Sequence, residues 1–137
     1  MRRQDFQELT RVRLREARAL LGAGCSDGAY YLAGLSVECA LKACISRKSR
    51  RYDFPDLEAV KAAWVHNLES LVKAAGLWVA LETEQKARPI FSRNWALVKD
   101  WRVESRYQRR SRVEAAALYA AITSRREGVI PWIRRHW

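Results

Sequence analysis

The stretch Asp27-Gly28-Ala29-Tyr30-Tyr31-Leu32-Ala33-Gly34-Leu35-Ser36-Val37-Glu38-Cys39-Ala40-Leu41-Lys42-Ala43-Cys44-Ile45 decides the fold. It is small and apolar almost all the way round a helical wheel, which predicts a helix buried on more than one side. Near its middle sit Glu38 and Lys42. A charged side chain seldom enters such a helix without a partner. Glu38 stands four residues before Lys42, the favourable order for an ion pair on one helical face. A core helix with an ionic step either fixes how helices meet or prepares a site, and both readings stay open at this point.

Around this helix the chain is built for more of the same. It has 137 residues, 49% of them apolar, with only 6 Gly and 3 Pro. That length suits one domain with a real core. Ala, Leu, Arg and Glu recur, and no alternating apolar–polar run is long enough to demand a strand. The expectation is an all-α, four- to five-helix up-and-down bundle over 1–137.

A first helix over 4–21 follows from Phe6, Leu9, Ala17, Leu20 and Leu21, with arginines on its outer side. Gly22 and Gly24 end it, and Ser26 or Asp27 caps the second helix, which is expected to reach about Ser46. The short connection makes the two an antiparallel hairpin. Arg47-Lys48-Ser49-Arg50-Arg51 then reads as the most basic loop of the chain. A cap at Asp56 predicts helix to Trp64. His66 to Ala75 reads as a short amphipathic helix stopped by Gly76, and 77–87 as another. Pro89 interrupts the pattern, since proline disfavours helix in the residue before it. Helix is predicted again over 92–101. Ser111-Arg112-Val113-Glu114 is a capping box opening the last helix, which Gly128 and Pro131 kink or break before Trp132.

The formal net charge of +11 attracts polyanions at a distance, so nucleic acid is the first candidate partner and an acidic protein the second. The plainer alternative is arginine on solvated surfaces. Cys25, Cys39 and Cys44 include no CxxC pair, and the two histidines are far apart, which argues against a zinc site; no metal or other cofactor is expected. The amino-terminal segment is charged, with no hydrophobic signal segment, and no apolar run is long enough for a bilayer. A cytoplasmic protein without membrane attachment is the expectation.

Two groups of residues could carry chemistry besides Glu38 and Lys42. The segment Arg93-Asn94-Trp95-Ala96-Leu97-Val98-Lys99-Asp100-Trp101-Arg102-Val103-Glu104-Ser105-Arg106-Tyr107 interleaves aromatic rings with cations. Rings stack on bases and guanidinium groups grip phosphate, as a nucleic-acid surface requires. Trp95 reads better as a core anchor. Glu104, Arg106 and Tyr107 fall between two helices, where side chains often face a ligand. His66 precedes an amphipathic helix. Histidine can serve as a base near neutrality, but a cap or packing role is the commoner use. No Ser-His-Asp order, phosphate-cradling GxxxxGK[ST], GxGxxG or paired carboxylates stand out.

The second helix, with Asp27-Gly28-Ala29, Tyr31-Leu32-Ala33 and Glu38-Cys39-Ala40-Leu41-Lys42, resembles the signature helix of HEPN (higher eukaryotes and prokaryotes nucleotide-binding) domains. His66-Asn67-Leu68 followed by Leu71 is similar to the start of their third helix, and the long final helix fits as well. The resemblance implies a four- or five-helix bundle, often a homodimer, acting on or binding RNA or a nucleotide in bacterial stress, defence or toxin–antitoxin settings, sometimes beside a nucleotidyltransferase partner. Nuclease members carry Arg, four to six residues, then His. Here neither His66 nor His136 has that arginine; the nearest match is Arg93 with Lys99 where the histidine would stand. An ammonium is a poor general base at neutral pH, so the resemblance carries the scaffold and a phosphate-binding Arg93 rather than the nuclease chemistry. The expected site is Glu38, Lys42, Arg93, Lys99, Glu104, Arg106 and Tyr107. Arg93, Lys99 and Arg106 contact phosphate and are the catalytic candidates if any activity exists. Glu38 orients one of the arginines, and Tyr107 stacks. The competing readings are a non-catalytic module docking an acidic protein, and a ribonuclease with an altered site.

Overall fold

A computed structural model describes residues 1–51 and 66–137. They are all-helical, with seven α-helices, one short 3-10 turn and no strand among the described residues. Helix α1 (Arg3–Gly22) and helix α2 (Ser26–Arg51) fold back on each other as a hairpin. The reversal is made by Gly24 in the left-handed region (φ 77°). The Cys25 amide reaches the Leu20 carbonyl at 2.8 Å and the Gly24 amide reaches Leu21 at 3.2 Å, the paired bonds of a glycine C-cap.

Helix α3 (Leu68–Ala74) is capped by Asn67, whose side-chain oxygen accepts from the Ser70 amide at 3.1 Å. It stops by the same device as α1, with Gly76 at φ 74° and the Leu77 amide on the Val72 carbonyl at 3.0 Å. Helix α4 (Trp78–Ala87) and helix α5 (Pro89–Val98) meet at Arg88. Proline therefore opens α5 at its first position, where a missing N–H costs nothing. This moves the segment expected over 92–101 three residues back. The 3-10 turn (Val103–Tyr107) leads to helix α6 (Arg112–Thr123) and helix α7 (Val129–Arg134).

The expected capping box is present: Ser111 Oγ accepts from the Glu114 amide and Glu114 Oε1 accepts from the Ser111 amide, both at 3.1 Å. The last helix is cut in two at 124–128, so of the two expected breakers Gly128 takes part and Pro131 does not. The Gly128 amide turns back to the Ser124 carbonyl at 2.9 Å, and a side chain at Gly128 would overlap that carbonyl. Pro131 sits harmlessly in the first turn of α7. The bundle of four to five helices is thus cut finer than expected, because breaks at Gly76, at Arg88–Pro89 and at 124–128 divide the rods. Helix α2 also runs past Ser46 to Arg51, absorbing the segment read as a basic loop; nothing before Pro55 is a helix breaker. The helix expected over 56–64 lies outside the described residues.

Helix α2 is the axis of the molecule: α1, α3, α6, α7 and the 3-10 turn all pack on it. Its small residues let them close in. Ala29, Ala33, Val37, Ala40, Leu41, Ala43 and Cys44 are buried, and a Cβ at Gly34 would overlap the indole of Trp101. Trp95 and Trp101 are both core anchors, with 2% and 0% exposure. Burial pushes the thiols of Cys39 and Cys44 up to about 11 and about 12, so both act as small apolar core residues. No helix among the described residues is long and apolar enough to cross a membrane.

Candidate functional site

The turn after Trp101 is held by three contacts to the start of α2. Trp101 stacks on Tyr31 with ring centroids 5.9 Å apart, over the gap left by Gly34. Ser105 is buried within the turn. Beyond it, the Arg110 amide donates to Asp27 Oδ1 at 2.6 Å and the Arg110 guanidinium lies 4.3 Å from the Tyr30 ring centre. These contacts use Asp27, Tyr30, Tyr31 and Gly34, all from the opening turns of α2.

What the turn carries outward is cationic and aromatic. Tyr107 is 78% exposed, with the Arg106 guanidinium 4.8 Å from its ring centre. The Tyr107 and Tyr31 hydroxyls, in that order, hold the Arg106 guanidinium above its ordinary range, so it is charged at every working pH. Arg102, Arg109 and Arg112 of the same segment are exposed. Arg102 is fixed by donating to the carbonyls of Lys99 and Trp101 at 3.0 and 3.1 Å. A flat ring in solvent beside a guanidinium on a fixed turn can stack a base and grip phosphate.

Glu38 forms a second cluster. Its side chain is 4% exposed, and Oε1 accepts from Lys42 Nζ at 2.8 Å, as the spacing predicts. The same oxygen lies 2.8 Å from His66 Nδ1, just before α3. A carboxylate only accepts, so Nδ1 is the donor in this contact. The His66 side chain is 47% exposed. Oε2 is buried with no hydrogen-bond partner among the described residues.

The seven expected residues therefore do not form one groove. Glu38 orients neither Arg93 nor Arg106; it holds Lys42 and His66 instead. Arg93 is exposed on α5, which packs on α4, α6 and α7, whereas Glu38 belongs to α2 and the 3-10 turn packs on α2. Lys99 ends α5 and pairs with Asp100 at 3.6 Å. Glu104 is exposed at the start of the turn. Arg106 and Tyr107 are brought together, and Lys99 is tied to their neighbourhood through Arg102. Sequence reasoning missed Asp27, Tyr30, Tyr31 and Arg110 as the turn's supports, although Tyr30-Tyr31 and Arg109-Arg110 were visible as paired aromatic and basic residues. It also favoured a cap or packing role for His66; the cap is Asn67.

Compared with protein-family models, with curated proteins and with solved structures, the chain matches none.

Proposed function

We propose that this chain is a helical module of the HEPN type that binds single-stranded RNA or a nucleotide through the turn at 102–112. One observation carries the reading: Tyr107 is held in solvent beside the Arg106 guanidinium on a turn seated firmly on α2. The net charge of +11 supports it by drawing polyanions to the surface. The homodimer and the stress or defence setting belong to the same proposal and rest on the resemblance. Fluorescence anisotropy with a short labelled RNA tests the reading. Tyr107→Ala is expected to weaken binding by about 1–3 kcal/mol, the loss of one stacked base. Unchanged affinity would remove the turn from the interface.

The Glu38–His66 pair favours a second reading, a ribonuclease with an altered site. His66 Nε2 would take the proton of a ribose 2′-hydroxyl, and the 2′-oxygen would bond to phosphorus as the bond to the 5′-oxygen breaks. The departing 5′-oxygen takes a proton from water, leaving a cyclic phosphate. Glu38 would hold the imidazole in the needed tautomer. RNA incubated with excess protein is expected to be cut, with loss of cutting by about 10²-fold or more in His66→Ala. Intact RNA with the wild-type chain would leave a binding module only.

A further inference from the structure

At the opposite end of α2 lies a cavity of about 320 Å³, bordered by Cys44, Arg47, Lys48, Gly76, Leu77 and His136. It falls at the small end of ligand cavities, which run to about 300–1,000 Å³. Sixteen residues of helix separate Arg47 from Tyr31, about 24 Å along the axis, so the cavity is distinct from the arginine–tyrosine turn.

Its chemistry is one-sided. Arg47 and Lys48 are successive residues of α2, and His136 comes from the segment after α7. Among the described residues no carboxylate borders the cavity. The nearest acid of α4, Glu84, is occupied by Arg88 at 3.5 Å and by Arg135 at 3.3 Å. The two long cations are placed by backbone contacts: Arg47 donates to the His136 carbonyl at 3.2 Å and Lys48 to the Ala74 carbonyl at 3.4 Å. A guanidinium has five N–H groups and an ammonium three, so each keeps donors for a guest. Helix α4 starts beside the cavity, after Leu77. Its first turn has neither a side-chain cap nor an acidic residue. Its free amides and positive dipole end favour an anion there.

We propose that this cavity binds a small phosphorylated anion, with the phosphate held between Arg47 and Lys48 and with His136 at its border. A phosphate dianion suits the set because it offers several acceptor oxygens to donors converging from two elements. The same corner without a guest keeps like charges together. His136 is held below its ordinary range by partial burial and then by the Arg135 and Arg47 charges, against a smaller opposing pull from Glu84. An anion would reverse that balance and draw a proton onto the ring.

Isothermal titration calorimetry of the full chain with inorganic pyrophosphate, at low ionic strength, tests this. Saturable binding is expected, weakened about tenfold or more by Lys48→Met through loss of a charge-assisted hydrogen bond. Arg18→Met removes the same charge from the exposed face of α1, near the other end of the hairpin, and is expected to change binding by less than about twofold. Equal weakening by the two variants, or no saturable binding, would overturn the proposal. A proton NMR titration of the wild-type imidazoles decides independently if Lys48→Met fails to fold. Pyrophosphate is expected to raise the titration midpoint of His136, and an unmoved His136 would overturn the assignment. A response to short RNA alone, with none to pyrophosphate, would also overturn it and return the cavity to the nucleic-acid surface.

Discussion

Single residues set how closely this molecule can pack. At Gly34 two effects compete when a methyl is added. Replacing glycine by alanine inside a helix is worth about 1 kcal/mol in favour of the variant. The methyl, however, would overlap an indole that is wholly buried and stacked on Tyr31, and a rigid ring cannot swing away as a flexible chain end can. Overpacking of this kind costs about 1–3 kcal/mol, so Gly34→Ala is expected to be destabilising overall. Urea unfolding followed by tryptophan fluorescence measures it, and a more stable variant would show that the indole moves freely. Glu38 makes the complementary point about what a sequence can reveal. Its bond to Lys42 was legible because both lie on one helix at a fixed spacing. Its bond to His66 was not, since 28 residues separate them and nothing local brings them together.

Elements were legible wherever a local rule decides them. The glycine cap after α1, the stop at Gly76 and the Ser111–Glu114 box all follow from neighbours in the chain. The finer division of the rods was harder. Pro89 and Pro131 carry the same residue type, yet both occupy first turns of helices, so neither breaks a helix from within. The break at 124–128 is local as well: the Gly128 amide turns back to the Ser124 carbonyl four residues earlier, so of the two expected breakers the glycine takes part and Pro131 does not. The capping box also gives α6 a pH dependence. Hydrogen bonds from the Ser111 backbone first, then its side chain and Arg110, hold the Glu114 carboxyl below its usual range. A lowered folded value means stability present above the unfolded value and lost as pH falls through the folded one. The melting temperature of wild type is therefore expected to exceed that of Glu114→Gln at pH 7, with the gap closing below about pH 4.5. A constant gap would mean that the box does not titrate with folding. Ser111→Ala should cost about 1 kcal/mol at neutral pH, read by the same melts.

Over the whole molecule, charge and shape divide the labour along α2. Its opening turns seat the arginine–tyrosine turn, its middle holds Glu38, and its end borders the cationic cavity. The all-α class and the basic character were legible from composition, because helix formers and net charge are sums over residues. The grouping of the expected site was not. Arg93 and Arg106 looked like neighbours along the chain, but α5 turns away to α4, α6 and α7 while the 3-10 turn docks on α2. The account rests on the turn at 102–112 meeting phosphate as well as a base. The most direct check is the affinity of wild type and Arg106→Met for a short single-stranded RNA, measured across a salt series. The slope of log affinity against log salt is predicted to be steep in wild type and to fall by about 0.7 in the variant, one phosphate contact removed. Identical slopes and affinities in the two proteins would contradict it.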